Sequence, residues 1–338
     1  MANPGATIAQ TPAPLEVSPE GLLHAYRLDG QGGCEALTWS DLPQAGDPQR
    51  PMWIHLDRTA VRARCWLERD SGLNSFLCEA LLSDESRPRC TVFPEGTLLI
   101  LRGVNLNPGE DPDDMISLRL WITPTRVISL RRMKVNAIDE VRQALLGGHG
   151  PTSLGGLVVM LIEQLIDNME PVLDELEDFM SELEDAVMEA DAKLRGRISN
   201  CRRQVITLRR HIAPQRDALA HLSVEDLEWL TQQQRWHLRE SIDQIIRYVE
   251  NLDVLRERAA VLQDTLLNRV SEQLNRNMYL LSIVTTLFLP LSFVTGLLGI
   301  NVGGIPGSNS PIAFAIVCGL ILMGGGIELW LFKRFRLL

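Results

Sequence analysis

Residues 278–298 of the chain read MYLLSIVTTLFLPLSFVTGLL, a run of 21 residues without a charged side chain. A helix of that length rises roughly 30 Å, which is the thickness of the hydrocarbon core of a bilayer. Residues 312–332, IAFAIVCGLILMGGGIELWLF, form a second run of the same length, in which Glu328 is the single charge. The residues between them, 299–311, are rich in Gly and Pro and predict a turn. The sequence therefore predicts two transmembrane helices joined by a short external loop.

The distribution of charge along the chain argues against a purely soluble protein and against a nucleic-acid binder. The 338 residues include 33 Lys or Arg and 43 Asp or Glu, which gives a formal charge of −10. No charged residue lies between Arg276 and Glu328. Residues 1–276 hold 30 basic and 42 acidic side chains, and this negative balance opposes contact with nucleic acid. The six cysteines form no CxxC pair, so we expect a reducing compartment and no disulfide framework.

Basic residues beside the two apolar runs predict the orientation in the membrane. Arg269 and Arg276 precede the first run, three basic residues lie in the tail 333–338, and the loop 299–311 has none. Positive charge favours the cytoplasmic side, so both termini are expected in the cytoplasm and the loop outside. We expect the protein in the inner membrane of a bacterium, with residues 333–338 as a basic cytoplasmic tail.

One face of the first apolar run carries small and polar residues. They recur at steps of three and four, which places most of them on the same side of a helix. These residues are Ser282, Thr285, Ser292, Thr295, Gly296 and Gly299. In lipid such a face turns toward other helices or toward water. It indicates either a homo-oligomer with this helix around a central pore or a helix-packing face in a membrane anchor.

A long helix is predicted ahead of the membrane. No Gly or Pro occurs between residue 233 and Pro290, so a stalk helix over 233–277 should continue directly into the first transmembrane helix. Apolar residues at steps of three and four, among them Ile242, Ile245 and Val249, are typical of a packed helical stripe.

Upstream of the stalk, residues 151–232 predict a helical hairpin whose two arms have opposite charge. Residues 155–192 contain twelve acids and no Lys or Arg, whereas residues 193–216 contain eight basic residues and no acid. One interpretation is that the arms pair with each other and otherwise face solvent. The other is an acidic reservoir that raises the local concentration of divalent cations. Both interpretations can hold together.

Residues 18–150 alternate strand and helix patterns and predict an α/β cytoplasmic domain, preceded by a disordered tail over residues 1–17. The fold class expected for the whole chain is an α+β membrane protein with this domain, the stalk helix and two C-terminal transmembrane helices. The sequence has no P-loop, GxGxxG, HExxH or nucleophile-elbow motif, so we expect no enzyme and no cofactor. Cys201 and His211 lie too far apart along a helix to hold one zinc ion together.

The end of the first apolar run resembles a known family. Residues 295–301, TGLLGIN, resemble the signature of CorA-type metal-ion transporters, in which Gly-Met-Asn closes the first of two C-terminal spans. The order of segments also resembles that family over nearly the whole chain. The tripeptide is Gly299-Ile300-Asn301, and its Ile, together with residues 116–141, is similar to the zinc-transporting ZntB branch.

The resemblance implies a homopentamer in which the first span lines a pore and the Gly299-Ile300-Asn301 loop selects hydrated cations. It implies zinc as the transported ion, coupling to a proton gradient, and a cytoplasmic ring of Asp264 side chains. The expected pore-lining residues are Asn275, Met278, Leu281, Thr285, Leu289, Ser292 and Gly296. A magnesium, cobalt or nickel channel of the same fold is the near alternative. A membrane-anchored cytoplasmic sensor is the alternative from another class, and Glu328 is expected to pair with Lys333, Arg334 or a neighbouring copy's Arg276.

Overall fold

The computed structural model describes most of the chain, in two units. The first unit runs to Gln263 and the second begins at Asp264. The described residues are 20–42, 51–85, 87–187, 194–299 and 311–334.

The first unit contains a mixed sheet with seven strands among the described residues. Their bounds are Leu22–Leu28 (β1), Cys34–Ala36 (β2), Met52–Asp57 (β3), Arg89–Phe93 (β4), Gly96–Gly103 (β5), Ile116–Ile122 (β6) and Arg126–Arg131 (β7). The strand order is β2-β1-β3-β7-β6-β5-β4, and within this sheet β3 and β7 form the one parallel pair. Several of these strands alternate apolar with polar residues, as strands often do, whereas β5 contains the continuous apolar run LLIL over residues 98–101.

Helices α1 (Val61–Arg69) and α2 (Ser75–Leu82) cover one face of the sheet. Helix α2 begins after Asn74, whose side-chain oxygen accepts a hydrogen bond from the N–H of Leu77 and so satisfies one free donor of the first turn. Both helices place their apolar residues in one buried cluster with strands β3, β5 and β7. The helical members of the cluster include Ala63, Trp66, Leu67, Leu77 and Leu81.

Strand β5 is also packed against helices α4 (Leu154–Asp167) and α6 (Leu194–Val224). A Cβ at Gly103 would lie 2.7 Å from Cδ1 of Leu165, so a larger residue here would require the Leu165 side chain of α4 to shift. In α6, the buried side chain of Gln215 accepts a hydrogen bond from the backbone N–H of Arg102. The charged helices are therefore anchored to the sheet. Helix α3 (Asn136–Leu146) packs against α4.

The acidic arm of the predicted hairpin is two helices rather than one. Helix α4 ends at Asp167, and α5 (Glu170–Val187) starts three residues later. Pro171 occupies the first turn of α5, where a missing N–H removes no helical hydrogen bond. The basic arm is helix α6, which continues through Pro214.

The predicted stalk, 233–277, and the first predicted span, 278–298, are one continuous helix, α7 (Gln232–Leu298). Helix α8 (Ala313–Arg334) contains the second predicted span. Both helices are long and apolar enough, by length and composition, to cross a membrane. An α/β domain, a long helix and two such C-terminal helices confirm the predicted fold class.

Three predicted segments fall wholly or mostly outside the described residues. The tail 1–17 lies outside, and of the loop 299–311 only Gly299 and Pro311 are described. Helix α8 extends to Arg334, so the first two residues of the predicted tail 333–338 are helical.

Candidate functional site

All seven expected pore-lining residues lie on α7 within the second unit, and all are exposed in the single chain. At 100° per residue they occupy about one third of the helix circumference. The apolar residues of this set are among the most exposed large side chains, with exposed fractions of 68% for Met278, 67% for Leu281 and 69% for Leu289. An apolar face this exposed fits contact with other chains or lipid.

The opposite face of α7 is partly covered. Ile283, Leu287 and Leu291 are half-buried and follow one another at steps of four. A Cβ at Gly325 of α8 would lie 3.8 Å from Cδ1 of Leu291, an ordinary van der Waals contact. Gly324 and Gly326 meet no such neighbour in the described structure. The expected pore face therefore points away from α8, because the two faces lie about 180° apart on a helix of 3.6 residues per turn.

Hydroxyl groups in the first span are bonded to their own helix. Thr285 Oγ1 donates to the carbonyl oxygen of Leu281 at 2.8 Å, and Thr286 Oγ1 donates to that of Ser282 at 2.8 Å. Because the donated hydrogen is used, the oxygen of Thr285 presents lone pairs on the exposed face. This arrangement can accept a hydrogen bond from the water shell of a passing cation.

Pro290 lies inside the same span and supplies no N–H. The carbonyl oxygen of Thr286, four residues earlier, therefore lacks its usual helical donor. In a membrane such a carbonyl is tolerated where another helix or water can satisfy it. The position fits a helix that faces a water-filled path on one side.

The predicted selectivity loop is described only at its first residue. The N–H of Gly299 donates to the carbonyl oxygens of Thr295 at 3.0 Å and Gly296 at 3.2 Å, which closes the last turn of α7. Ile300 and Asn301 lie outside the described residues. Their role in selectivity stays a prediction.

Asp264 lies on the same face of α7 as Asn275. The two residues are eleven positions apart, close to three helical turns, and both are exposed. Asp264 forms no ion pair or hydrogen bond with the described residues. A carboxylate on this line is available to a cation that follows the face of α7.

The charged helices pair mainly with α7 rather than with each other. Glu184 of α5 accepts two hydrogen bonds from Arg258 of α7, both 2.8 Å long. Arg209 of α6 donates to both carboxylate oxygens of Asp253 of α7, at 2.6 and 3.0 Å. Among the described residues, the direct ion pair between the two arms is Arg197 with Glu182, at 3.6 Å. The expected pairing between arms is therefore a minor part of the arrangement.

Pairing with α7 was missed because the sequence does not show which helix each arm contacts. The acid at residue 253 and the base at residue 258 sit within a helix of mixed charge, where neither is conspicuous. The arginine pairing lowers the pKa of Glu184 and of Asp253, chiefly through hydrogen bonds to their carboxylates.

Three acidic side chains of α5 have no ion-pair partner among the described residues. Asp174, Glu175 and Asp178 form no ion pair with the described residues. With Asp113 and Glu182 they line a groove of about 720 Å³ whose base is apolar. The negative potential that the sequence predicts for this region is therefore only partly neutralised.

The described residues contain no group of three His, Cys, Asp or Glu side chains that could hold a metal ion. Cys201 is fully buried, and burial raises the pKa of its thiol. Burial, with Arg102 and Arg210 nearby, lowers the pKa of His211 to about 4. The positive charges of Arg102 and Arg210 near His211 oppose the binding of a cation at this residue.

Glu328 lies on α8 with one carboxylate oxygen, Oε2, buried and without a hydrogen-bond partner in the described structure. The expected ion pair with Lys333 or Arg334 is absent among the described residues. Those bases are five and six positions away, which on a helix is about 140° and 240° around the axis. Residues three or four positions away, where a partner could reach, are Gly324, Gly325, Leu331 and Phe332.

Sequence comparison gives relatives over nearly the whole chain. Residues 48–334 match the sequence model of a family described as CorA-like Mg2+ transporter protein. Zinc transport protein ZntB of Pectobacterium carotovorum subsp. carotovorum is 37% identical over 322 residues, covering 95% of this chain and 97% of that protein. Divalent cation transporter CmaX of Pseudomonas aeruginosa is 38% identical over 320 residues, covering 94% and 96%.

Structural comparison agrees with the sequence. A structure of the full-length CmaX protein superposes with a TM-score of 0.80 at 37% identity, covering 94% of this chain and 98% of that one. The similarity therefore includes both units and both candidate transmembrane helices.

Proposed function

Since the chain belongs to the family of CorA-like Mg2+ transporter proteins, we propose that it carries divalent cations across the bacterial inner membrane, with zinc as its principal ion. The observation that carries the proposal is the exposed face of α7 between Asn275 and Gly296, opposite the face that approaches α8. A membrane anchor needs no polar face on the side away from its own hairpin partner. A pore lined by several copies of α7 does.

The proposed assembly is a homopentamer. One chain with two spans cannot enclose a hydrophilic path, and the exposed apolar side chains of α7 leave a surface for identical copies. Five copies around an axis would place Asn275, Thr285 and Ser292 toward the centre. Met278, Leu281 and Leu289 would then form apolar constrictions that hinder flow when dry. The pentamer number comes from resemblance to the family.

Neutral oxygen atoms in the proposed pore suit a hydrated cation. A ring of Asn301 amides at the outer end, within the Gly299-Ile300-Asn301 loop, can hydrogen-bond the water shell without holding the ion too tightly to leave. A ring of Asn275 would do the same at the inner end. Zinc is favoured over magnesium because Ile300 takes the place of the Met in the family's Gly-Met-Asn signature, and because two relatives named as zinc transport proteins are 37% identical over 95% of this chain.

Unpaired acids favour cation entry or exit at the cytoplasmic side. Asp264 on α7 and the groove acids Asp174, Glu175 and Asp178 carry negative charge that described bases do not neutralise. Repeated in each copy, they attract divalent ions over roughly one Debye length, about 8 Å at physiological salt. Basic residues flanking the spans, Arg276 and Lys333 among them, support the proposed topology with both termini in the cytoplasm.

Ion flux into vesicles that contain the reconstituted full chain tests the proposal. We expect zinc uptake to exceed magnesium and cobalt uptake, and Asn301→Ala to lose most of the preference between ions. Uptake of magnesium or cobalt above that of zinc would favour the alternative, a magnesium, cobalt or nickel channel of the same fold. No flux of any divalent ion in the native chain would contradict transport and support a membrane-anchored sensor.

A matched pair of asparagines tests the lining of the inner end. Asn275 lies on the proposed pore face, whereas Asn277, two positions later, lies about 200° around the helix. We expect Asn275→Ala to lower zinc flux severalfold and Asn277→Ala to leave it near the native rate. Equal rates in the two variants would contradict the assignment of this face.

A further inference from the structure

Glu328 is the one acid or base within the two apolar runs of the chain. It follows 51 uncharged residues, and four uncharged residues separate it from Lys333 near the end of α8. Its Oε2 atom is buried without a hydrogen-bond partner, and no described cation lies within ion-pair distance. Placing an ionisable group this way in a membrane helix costs free energy, and such groups usually have a function.

The contact between α7 and α8 fixes the depth of this residue. Leu291 lies beside Gly325 and is thirteen positions beyond Met278, so the contact is about 20 Å above the inner end of the span. With the two spans antiparallel, as the proposed topology requires, Glu328 lies one turn nearer that end. Its backbone is therefore about 15 Å from the inner end of the first run. It lies four residues before the end of the second run at residue 332, which is about 6 Å by helical rise, so both runs place it inside the hydrocarbon core.

Glycines precede Glu328 on α8. Side chains of a helix lean toward its N-terminus, which is the side of Glu328 on which Gly324 and Gly325 lie. A Cβ at Gly324 would meet no atom within 4 Å, and one at Gly325 would meet Cδ1 of Leu291 at 3.8 Å. The glycines therefore leave open space on this side of Glu328.

Few titratable groups face this position. From residue 277 to its end, α7 contains one ionisable side chain, the phenol of Tyr279, nine residues below the level of Glu328. On α8 the others are Cys318, ten residues toward the outer side, and the bases Lys333 and Arg334 on different sides of the helix. Arg276 of α7 is about 18 Å below by helical rise. A carboxylate here has no fixed counter-ion within the described chain.

We propose that Glu328 is the proton-binding residue of the transport cycle, an inference that rests on the proposed cation transport. In the step proposed, one carboxylate oxygen forms an O–H bond with a proton from the external water. That bond breaks when the proton leaves to the cytoplasmic water, and the carboxylate returns. No electron is exchanged. Neutralisation removes the cost of a lone charge in the membrane, which links the state of the two spans to the proton gradient.

The test uses the full chain reconstituted in vesicles, with a potassium ionophore to hold the membrane potential at zero. Zinc uptake and internal pH are recorded together, at equal pH and with the outside one unit more acidic. If one proton accompanies each zinc ion, this gradient supports about tenfold accumulation of zinc. We expect the native chain to accumulate zinc and to acidify the interior.

Three variants separate proton binding from structure. Glu328→Gln should lose both the accumulation and the acidification, because an amide side chain takes up no proton in this pH range. Glu328→Asp, which keeps a carboxylate, should retain them. Glu250→Gln removes the same charge from an exposed position on α7 in the first unit and should behave as native.

Several outcomes would overturn the proposal. Native accumulation in Glu328→Gln would show that the proton binds elsewhere, and loss of zinc flux in Glu328→Asp as well as in Glu328→Gln would make the residue structural. Zinc flux without proton movement in the native chain would refute this inference and leave the proposed transport intact. Absence of any divalent flux in the native chain would instead refute the transport itself.

Discussion

The two units of the molecule place the same residue type in opposite environments. In the first unit Leu99 and Leu120, paired on neighbouring strands, are fully buried by their own chain. In the second unit Leu281 and Leu289 are more than two-thirds exposed. The first unit buries a large apolar core within one chain, whereas the second exposes its apolar side chains, which the proposed function assigns to lipid and identical copies. We therefore expect the first unit to determine the stability of the single chain and the exposed face of α7 to matter for the proposed transport.

Matched leucine truncations are the strongest test of this contrast. Leu99→Ala creates a cavity in the sheet and should lower the free energy of unfolding by about 2–5 kcal/mol. Leu289→Ala should change it by less than about 0.5 kcal/mol, since the side chain packs on little within its own chain. It should instead raise zinc flux by widening an apolar constriction. Guanidinium unfolding in detergent measures the stability and vesicle flux measures the transport. Equal destabilisation by Leu99→Ala and Leu289→Ala would contradict the contrast between the two units.

A second test concerns the helix that both units share. Arg258 joins α7 to α5 through two hydrogen bonds to Glu184, and both side chains are partly exposed. We expect Arg258→Gln to lower the unfolding free energy of the first unit by about 0.5–1 kcal/mol. Arg256, whose partners Asp253 and Glu257 lie on α7 itself, is the control. Its change to Gln should have a smaller effect, because no contact between helices is lost.

The smallest expected effect is a dependence of stability on pH that arises in the first unit. Burial, and secondarily Arg142, lowers the pKa of His24 from 6.5 to about 4. Between these values the unfolded chain binds more protons than the folded one, so stability falls as the pH falls from about 6.5 toward 4. We expect His24→Gln to reduce the loss of melting temperature between pH 7 and pH 5 by on the order of 1–2 °C.

The control for the pH prediction is His149→Gln, since His149 is exposed. Its melting temperature should follow pH as in the native chain. If the melting temperature of His24→Gln depended on pH as in the native chain, other titratable groups would be responsible for that dependence. His55 is the first to examine, because burial also lowers its pKa and its ring stacks on His24 at 6.0 Å.

Regular elements of the fold could be predicted because each is encoded by local periodicity. Strand β6, for example, contains the alternating residues of ISLRLWI, and α7 follows from the lack of Gly and Pro between residues 233 and 290. The break between α4 and α5 was missed, although Pro171 is a signal for the first turn of a helix. A long acidic run obscured it.

Long-range partners could not be predicted in the same way. Whether Glu184 meets α6 or α7 depends on how three helices pack, which no spacing within one helix determines. The faces of α7 were predictable from steps of three and four, since period alone places Thr285 and Leu289 together. The lack of an ion pair between Glu328 and Lys333 in the described structure could have been derived from the angle between them on the helix, but proximity in sequence was given more weight.

The parallel pairing of β3 and β7 also has a consequence for biosynthesis. Met52 of β3 pairs with Arg126 of β7. The edge of β3 that faces β7 therefore has no partner until that later strand leaves the ribosome. Strands this far apart in the sequence pair more slowly than a helix or a tight turn forms. Both apolar runs are translated after β7, so the sheet can close before either run meets the membrane. The order of synthesis thus protects the nascent chain from presenting an open strand edge and membrane-seeking helices at the same time.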